Sequence, residues 1–403
     1  MNLNISNKLY TILIIMLPIL GVYKSPVYFF DLGTFLVLAS FPFILYKSKG
    51  TILNNKTLII LLAYIFTASI YIFAHEFMLL LPILRTVKFL IMIFAVLLLG
   101  YHKLFDAEYA IKILKVITNV AVMYLIVQIV LYRGFGILLP NGFPMLADNS
   151  GYLSNIYISA IRPSSFFLEP AHFAQYSIVY LTYCIFGIES HQKLFKNWKN
   201  ALFITVGIIL STSGQGILMV VILMSIWLLL NIAKKKIKLQ NIIYTFCMIM
   251  LLLIALPLIM KTEVVTNLLT RIFTENISGG GNALYARVSG YTILQNLNGI
   301  HSIIGMGFGN VPENMYLSGY AYIIYCTGYL GLAIFITLLT STFLKVHKFS
   351  KVLVVLFAIM LIGAQMFTAT SICFYFAIFY ISKSKHTNIK DNNFEQIKKI
   401  ESW

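Results

Sequence analysis

Charged residues are scarce in this sequence. Only 11% of its 403 residues are Asp, Glu, Lys or Arg, whereas soluble domains carry about 25%. Acidic residues are the rarer part of that set, with 13 in the whole chain. So little charge, together with a mean hydropathy of +0.87, excludes a surface that faces water throughout. The chain is therefore predicted to be a membrane protein.

Residues for metal and disulfide chemistry are also few. The seven histidines include no HxxxH or HExxH pair. The cysteines all lie in apolar runs and never at CxxC spacing, so we expect neither disulfides nor a metal cluster. These cysteines are Cys184, Cys247, Cys326 and Cys373. The sequence thus predicts no metal and no cofactor.

What is abundant is apolar sequence. Runs near the roughly 20 residues that cross a bilayer recur along the chain, and each must be helical because lipid offers no partner to a free backbone amide. We predict an all-α polytopic protein with about twelve transmembrane helices, forming a single membrane domain over 1–403. The predicted spans are 9–23, 28–46, 57–74, 79–100, 112–132, 168–187, 200–212, 214–232, 241–260, 316–343, 352–367 and 369–382.

Lysines indicate the orientation. They cluster in alternate connections, at 47–56, 193–199, 234–238 and 345–351, and in the tail 383–403, as the positive-inside rule requires of cytoplasmic segments. Both termini are therefore predicted to be cytoplasmic. The net charge of +17 is explained by this topology and by attraction to anionic lipid. Nothing in the sequence resembles a nucleic-acid-binding module.

Two predicted extracytoplasmic loops are long, 133–167 and 261–315, and we expect function to lie there. All arginines fall in an extracytoplasmic segment or at the outer end of a neighbouring span, the side where basic residues are normally depleted. They are Arg85, Arg133, Arg162, Arg271 and Arg287. Because a guanidinium binds phosphate through paired hydrogen bonds, some of them are predicted to bind a phosphorylated substrate. The alternative is a codon bias toward lysine, with the arginines placed by chance.

The first loop ends in Arg162-Pro-Ser-Ser-Phe-Phe-Leu-Glu169-Pro170-Ala-His172-Phe. Pro170 suits the first turn of a helix, so Glu169 would lie at the mouth of the sixth span, with His172 one turn inside. A helix N-terminus there offers free amides and a positive dipole end to a phosphate. Glu and His at membrane depth are costly unless used, which favours a functional site over a structural Arg–Glu pair.

The second loop contains two amphipathic stretches, 263–273 and 282–291, that predict short helices; the first would lie on the outer membrane surface or against the bundle. A GxGxG sequence follows them, but no strand precedes it, so it is not a dinucleotide motif. We expect its glycines to allow close backbone packing or the approach of a ligand. The polar and glycine residues of this stretch are His301, Gly305, Gly307, Gly309, Glu313, Asn314 and Tyr316.

Taken in order, these segments resemble the Wzy polymerase and O-antigen ligase family of bacterial surface-polysaccharide enzymes. The family also has a Ser-Thr-Ser turn, matched by 211–213 between the seventh and eighth spans; this turn is either a break that lines a site or a plain tight turn. The other matching segments are Arg162–His172, Arg287 with Gly305-Met-Gly307, and Asn314-Met-Tyr316 with Gly328-Tyr-Leu-Gly331. The chain departs from the pattern where Gly214 replaces an Arg and where Glu313 replaces a His.

The resemblance implies a GT-C-like membrane fold and an enzyme that joins glycans carried on undecaprenyl pyrophosphate, at the outer face of the inner membrane. It implies that arginines stabilise the charge on the departing pyrophosphate. The implied substrate-binding residues are Arg162, Arg287, Arg271, Asn314 and Tyr316. The implied catalytic residues are Glu169, first choice as base, then His172, His301 and Glu313. The implied partners are the lipid-linked glycan, the bilayer and, as candidates, a chain-length regulator and a flippase.

Two other functions remain as alternatives. An O-antigen ligase would transfer the glycan to lipid A core, and Glu313 in place of a His argues against it. A flippase or transporter of lipid-linked glycans would have a similar number of spans, but we find no internal repeat between 1–200 and 201–403, and mid-span charge is sparse. The sequence therefore favours a polymerase that makes O-antigen or capsule.

Overall fold

The computed structural model describes residues 5–27, 30–75, 80–143, 146, 163–187, 197–233, 290–311 and 316–381. Within these residues the chain is helical, and only an isolated bridge between Lys24 and Asp31 has strand geometry. The helices are α1 (Ile5–Leu20), α2 (Leu32–Ala39), α3 (Phe41–Ser48), α4 (Lys56–His75), α5 (Leu80–Ile93), α6 (Tyr101–Leu104), α7 (Ala107–Phe135), α8 (Pro170–Phe186), α9 (Trp198–Leu210), α10 (Gly214–Ala233), α11 (Ile300–Ile304), α12 (Gly319–Lys345), α13 (Lys348–Gly363) and α14 (Ala369–Phe379). A π-helical segment, Phe94–Gly100, joins α5 to α6, and a 3-10 turn, Ile293–Asn296, precedes α11.

Several of these helices are long and apolar enough to cross a membrane. They are Lys56–His75, Leu80–Leu104, Ala107–Phe135, Gly214–Ile232 and Gly319–Lys345. Along α7, large apolar side chains such as Val116, Met123 and Val130 are more than half exposed, which would be costly in water and is expected in lipid. The described chain therefore has the architecture of a membrane-embedded helical protein.

The predicted spans coincide with helices wherever the structure describes them; the span at 241–260 lies outside the described residues. The predicted span 28–46 is divided into α2 and α3. Pro42 stands at the start of α3 and has no amide hydrogen, so the helical bond to the residue four before it is missing. The predicted span 79–100 is continued by the π-helical segment and α6 to Leu104.

Contacts between helix ends agree with spans that alternate in direction. We call the end of each helix that the lysines predict to be extracytoplasmic its outer end. At outer ends, the Gly319 amide donates to the Ala364 carbonyl at 2.9 Å. At inner ends, the Asn55 side chain donates to the Tyr380 hydroxyl at 2.6 Å. Each of these hydrogen bonds joins two segments that the sequence predicts to lie on the same side of the membrane.

The centre of the bundle is α14, although it is only 11 residues long. Its residues from Ile372 to Phe379 are all buried, and it packs on α1, α5 and α13. Its aromatic rings interleave with those of its neighbours; Phe374, for example, stacks on Tyr176 of α8 at 5.4 Å. A helix that is apolar all round is expected at such a buried position.

Candidate functional site

The α8 helix begins where the sequence predicts, with Pro170 as its first residue. Glu169 is the N-cap residue in extended conformation (φ −131°, ψ 148°), and its carbonyl accepts the Phe173 amide at 3.1 Å. Its side chain makes no capping hydrogen bond and is half-buried. The carboxylate is thus not used to satisfy the helix end, as an N-cap side chain usually is.

His172 lies in the first turn of α8, three residues after Glu169, so the two side chains are neighbours on one face. The ring is exposed, although protein surrounds it densely and it lies within the electrostatic influence of Glu169. A side chain that is both surrounded and accessible lines a depression. Glu169 and His172 therefore lie together at the outer end of α8, as the sequence predicts; their chemical roles stay predictions.

The depression is a small pocket of about 190 Å³ between the outer end of α1 and the end of the first loop. The Tyr23 hydroxyl accepts the Phe143 amide at 2.7 Å, and the Phe143 ring stacks on Phe166 at 5.6 Å. These contacts hold the loop over α1. The lining residues are Pro18, Ile19, Val22, Tyr23, Phe166, Phe167, Leu168 and His172, so the pocket is largely apolar and aromatic, with one imidazole.

Gln128 of α7 fastens both ends of the first loop. Its amide nitrogen donates to the Pro140 carbonyl and to the Asn141 side chain, both at 3.0 Å. Its amide oxygen accepts the Ser165 backbone amide at 2.8 Å. Gln128 is only 4% exposed, so these bonds form away from water. A single buried side chain thus positions the segment that leads to Glu169.

Replacing this side chain is expected to loosen the loop. Gln128→Leu should lower the free energy of unfolding by about 2–4 kcal/mol, because several buried hydrogen bonds, each worth about 0.5–1.5 kcal/mol, are lost and their backbone partners stay unpaired. The matched control is Gln175→Leu, which removes one bond, to Gln215 at 3.0 Å, and should cost about 1 kcal/mol. Thermal unfolding of the purified protein in detergent measures both; equal shifts would show that Gln128 is not a special anchor.

The end of the second loop, 290–311, enters the bundle and returns. Its first part lies at the outer end of α13, where the Tyr291 hydroxyl donates to the Ile362 carbonyl at 2.9 Å. The α11 helix then packs on α12 beside Gly328. Gly328 is nine residues, or about 13 Å along the helix axis, from the outer end of α12. Irregular backbone at that depth must be covered by protein, and 307–309 is buried. We call 299–311 the re-entrant segment.

The α12 helix is broken where the re-entrant segment meets it. Gly328 has φ 68° and ψ −178°, so the backbone bonds of an unbroken helix are lost there. The Tyr325 carbonyl instead accepts the Met306 amide at 2.8 Å. The Tyr64 hydroxyl donates to the Thr327 carbonyl at 2.7 Å. The break is therefore paired within the protein, and two segments of the family resemblance, 305–307 and 328–331, pack against each other.

The rest of the re-entrant segment is held by α5. The Thr86 hydroxyl donates to the Phe308 carbonyl at 2.7 Å, and Arg85 Nη1 donates to the Gly309 carbonyl at 3.1 Å. A Cβ on Gly305 would lie 2.4 Å from the backbone of α12. The prediction that the GxGxG glycines permit close backbone packing is thus confirmed.

The other predicted site residues that the structure describes lie elsewhere. His301 is in α11, with Nδ1 3.2 Å from the Gly305 carbonyl oxygen, and its helix packs on α12. The Tyr316 hydroxyl accepts the Gln365 amide at 2.9 Å, which ties it to the turn between α13 and α14. The structure therefore brings Glu169 and His172 together but places His301 and Tyr316 against other helices.

Five predicted site residues and the two amphipathic stretches cannot be placed. Arg162, Arg271, Arg287, Glu313 and Asn314 lie outside the described residues, as do 263–273 and nearly all of 282–291. Polar residues that the sequence analysis did not single out include Gln128, Tyr64 and Asp31, which pairs with Lys88. These residues could have been found in the sequence as lone polar groups in or beside an apolar span. Such groups need a hydrogen-bonding partner in lipid.

The turn between α9 and α10 is a plain tight turn. Thr212 is its one residue in the left-handed region (φ 55°). The Ser213 hydroxyl oxygen accepts the Gly216 amide at 3.1 Å, which satisfies the first turn of α10. A Cβ on Gly216 would lie 2.5 Å from the Ala174 Cβ, so this end of α10 packs directly on α8. The sequence left open a break that lines a site or a plain tight turn, and the structure has the tight turn.

No protein-family model matches the chain, and no curated protein matches its sequence.

Proposed function

We propose that this protein is a membrane glycosyltransferase. It would polymerise oligosaccharide repeat units carried on undecaprenyl pyrophosphate into a surface polysaccharide, O-antigen or capsule, at the outer face of the bacterial inner membrane. One observation carries the proposal. Glu169, whose carboxylate does not cap its helix, lies next to His172 at the outer end of α8, and the accessible imidazole of His172 lines a small pocket there; both residues come directly after the segment that begins at Arg162. The local motifs of the family resemblance supply the reaction class.

The reaction needs a base and a charge stabiliser. A hydroxyl of the acceptor sugar attacks the anomeric carbon of the donor, the bond from that carbon to the pyrophosphate oxygen breaks, and the hydroxyl proton passes to the base. Glu169 is the proposed base, because its side chain does not cap the helix. The lipid pyrophosphate leaves with the negative charge, which Arg162, Arg287 and Arg271 are proposed to stabilise.

The size of the pocket limits what it holds. The space beside His172 is small, with about 190 Å³ of empty volume that is partly open to solvent. It would therefore hold the reacting centre only, and the rest of a repeat unit would be bound by the loops at 133–167 and 261–315. The aromatic side chains Tyr23, Phe166 and Phe167 offer apolar faces for a sugar ring.

A transporter is the second candidate, and the broken α12 favours it, since half-helices often line transport sites. Here, however, the Met306 amide and the Tyr64 hydroxyl donate to carbonyls beside the break. These hydrogen bonds occupy carbonyl oxygens that a transported ion or substrate would use. A ligase would share the proposed chemistry and differ only in its acceptor. The experiment below separates a polymerase from these two alternatives.

The test is deletion of the gene in its host, followed by gel analysis of the surface polysaccharide. A polymerase deletion should remove the long ladder and leave a core that bears one repeat unit, and the wild-type gene should restore the ladder. Arg162→Ala and Arg287→Ala should each fail to restore it at normal membrane levels, with losses of about 10²–10³ in rate. Loss of every repeat unit from the core would indicate a ligase or flippase instead, and an unchanged ladder would refute the polysaccharide function.

A further inference from the structure

Two cations on α5, Arg85 and Lys88, are held by different neighbours of that helix. Arg85 Nη1 donates to the Gly309 carbonyl of the re-entrant segment at 3.1 Å. Lys88 Nζ lies 3.1 Å from Asp31 Oδ2, and the Asp31 side chain is only 8% exposed. Asp31 also caps α2, accepting the Thr34 amide at 2.7 Å. Both cations are thus fixed in place, unlike a surface lysine that extends freely toward water.

The two cations lie at the face of α5 that would meet lipid. Leu81 and Ile91 are 40% and 38% exposed in the described part of the chain, and helical spacing puts Lys88 on their face. The side chain of Lys88 is 26% exposed, and Arg85 is exposed at the edge of this face. Measured from the start of α5, Arg85 lies about 7 Å and Lys88 about 12 Å along the axis, in the outer half of the predicted span.

We propose that Arg85 and Lys88 bind the phosphate group of a membrane lipid that enters laterally, between the start of α2 and the re-entrant segment. Two cations and one carboxylate leave one net positive charge in the cluster. Among the described residues, the guanidinium spends one donor on Gly309 and the ammonium one on Asp31, so each keeps donors for phosphate oxygens. Residues three apart on a helix have Cβ atoms about 5–6 Å apart, so one phosphate can contact both side chains.

The ligand is a lipid rather than a soluble phosphate, because apolar Leu81 and Ile91 flank the cations. The phosphate could belong to a polyprenyl phosphate or to a bilayer phospholipid, which offer the same group to this site. The site is separate from the pocket that His172 lines, which lies between α1 and α8. The inference needs no glycosyl transfer, so binding measured without turnover tests it independently of the proposed function.

The experiment is native mass spectrometry of the full-length, delipidated protein in detergent. Undecaprenyl phosphate, phosphatidylglycerol and undecaprenol are each added alone. The wild type should retain one molecule of a phosphorylated lipid and no undecaprenol. Arg85→Gln should lower the retained fraction at least tenfold. A double variant, Asp31→Asn with Lys88→Met, should lower the retained fraction equally. It keeps a capping side chain on α2 and leaves no unpaired charge, so misfolding would not explain its loss of lipid.

The matched control is Arg133→Gln. Arg133 is an exposed arginine at the outer end of α7, so it represents an ordinary interfacial anchor, and retention should be unchanged. Retention of undecaprenyl phosphate alone would assign a polyprenyl ligand, and retention of phosphatidylglycerol alone a bilayer phospholipid; both support the site. Equal losses for Arg133→Gln and Arg85→Gln, equal retention of undecaprenol, or displacement by millimolar inorganic phosphate would each overturn it.

Discussion

Gly328→Ala is expected to abolish the native fold. Gly328 has a backbone conformation that is essentially restricted to glycine (φ 68°, ψ −178°), and a Cβ there would lie 2.0 Å from the Ile303 carbonyl oxygen. A backbone carbonyl cannot move aside as the end of a flexible side chain can. The α11 helix would have to leave α12, and the carbonyls that Met306 and Tyr64 satisfy would be stranded. We expect a loss of at least about 4 kcal/mol in the free energy of unfolding.

Size-exclusion chromatography and thermal unfolding measure this loss, and two other glycines provide controls. Gly50 has a positive φ of 66° but no atom within 4 Å of its added Cβ, so Gly50→Ala should cost only about 1–2 kcal/mol. Gly134 lies in α7, also with no atom within 4 Å, and Gly134→Ala should stabilise by up to about 1 kcal/mol. If Gly328→Ala unfolded like Gly50→Ala, the contact between α11 and α12 would not be essential to the fold.

Glu169→Gln is expected to lower the rate of polymer formation by about 10²–10⁴, the usual range for a lost general base. An amide has nearly the shape of a carboxylate but cannot accept the proton of the attacking hydroxyl. Because the Glu169 side chain makes no capping bond, the substitution should leave the thermal unfolding of α8 and of the whole protein near wild type. The measurement is the time course of chain elongation by purified protein supplied with lipid-linked repeat units.

Glu108→Gln is the control for this variant. Glu108 lies in the first turn of α7 at its inner end, on the opposite side of the predicted membrane, so its replacement should leave the elongation rate unchanged. A Glu169→Gln protein that elongates at the wild-type rate would refute the base role of Glu169. His172→Ala would then be the decisive variant, since His172 lies next to Glu169 and lines the pocket there.

The spans could be predicted from the sequence because lipid allows few structures. An apolar run in a bilayer must satisfy its backbone internally, so each described run became a helix near its predicted bounds. The start of α8 was equally predictable, because Pro170 favours the first helical turn through its fixed φ and missing amide hydrogen. Even the division of 28–46 at Pro42 has a local cause in the same missing hydrogen.

The two glycine-containing breaks show where prediction stops. The sequence marked 211–216 as a possible site-lining break and gave Gly328 only a motif match. In the structure the first is a tight turn, and the second interrupts a helix within the bundle. Glycine permits both outcomes. What decides between them is whether another segment donates to the freed carbonyls, as Met306 does for Tyr325, and the local sequence does not contain that information.

The sequence by itself determined the membrane class and the positions of the described helices, and it predicted which helix ends lie on a common side of the membrane. Hydropathy, lysine placement and proline geometry are local properties, and a bilayer acts on them directly. Only the tertiary structure decided which polar groups meet: Lys88 with Asp31 across 57 positions, and Tyr64 with Thr327 across 263. Such pairs depend on which helices become neighbours, and helices in lipid choose neighbours by close packing and interhelical hydrogen bonds rather than by hydrophobicity.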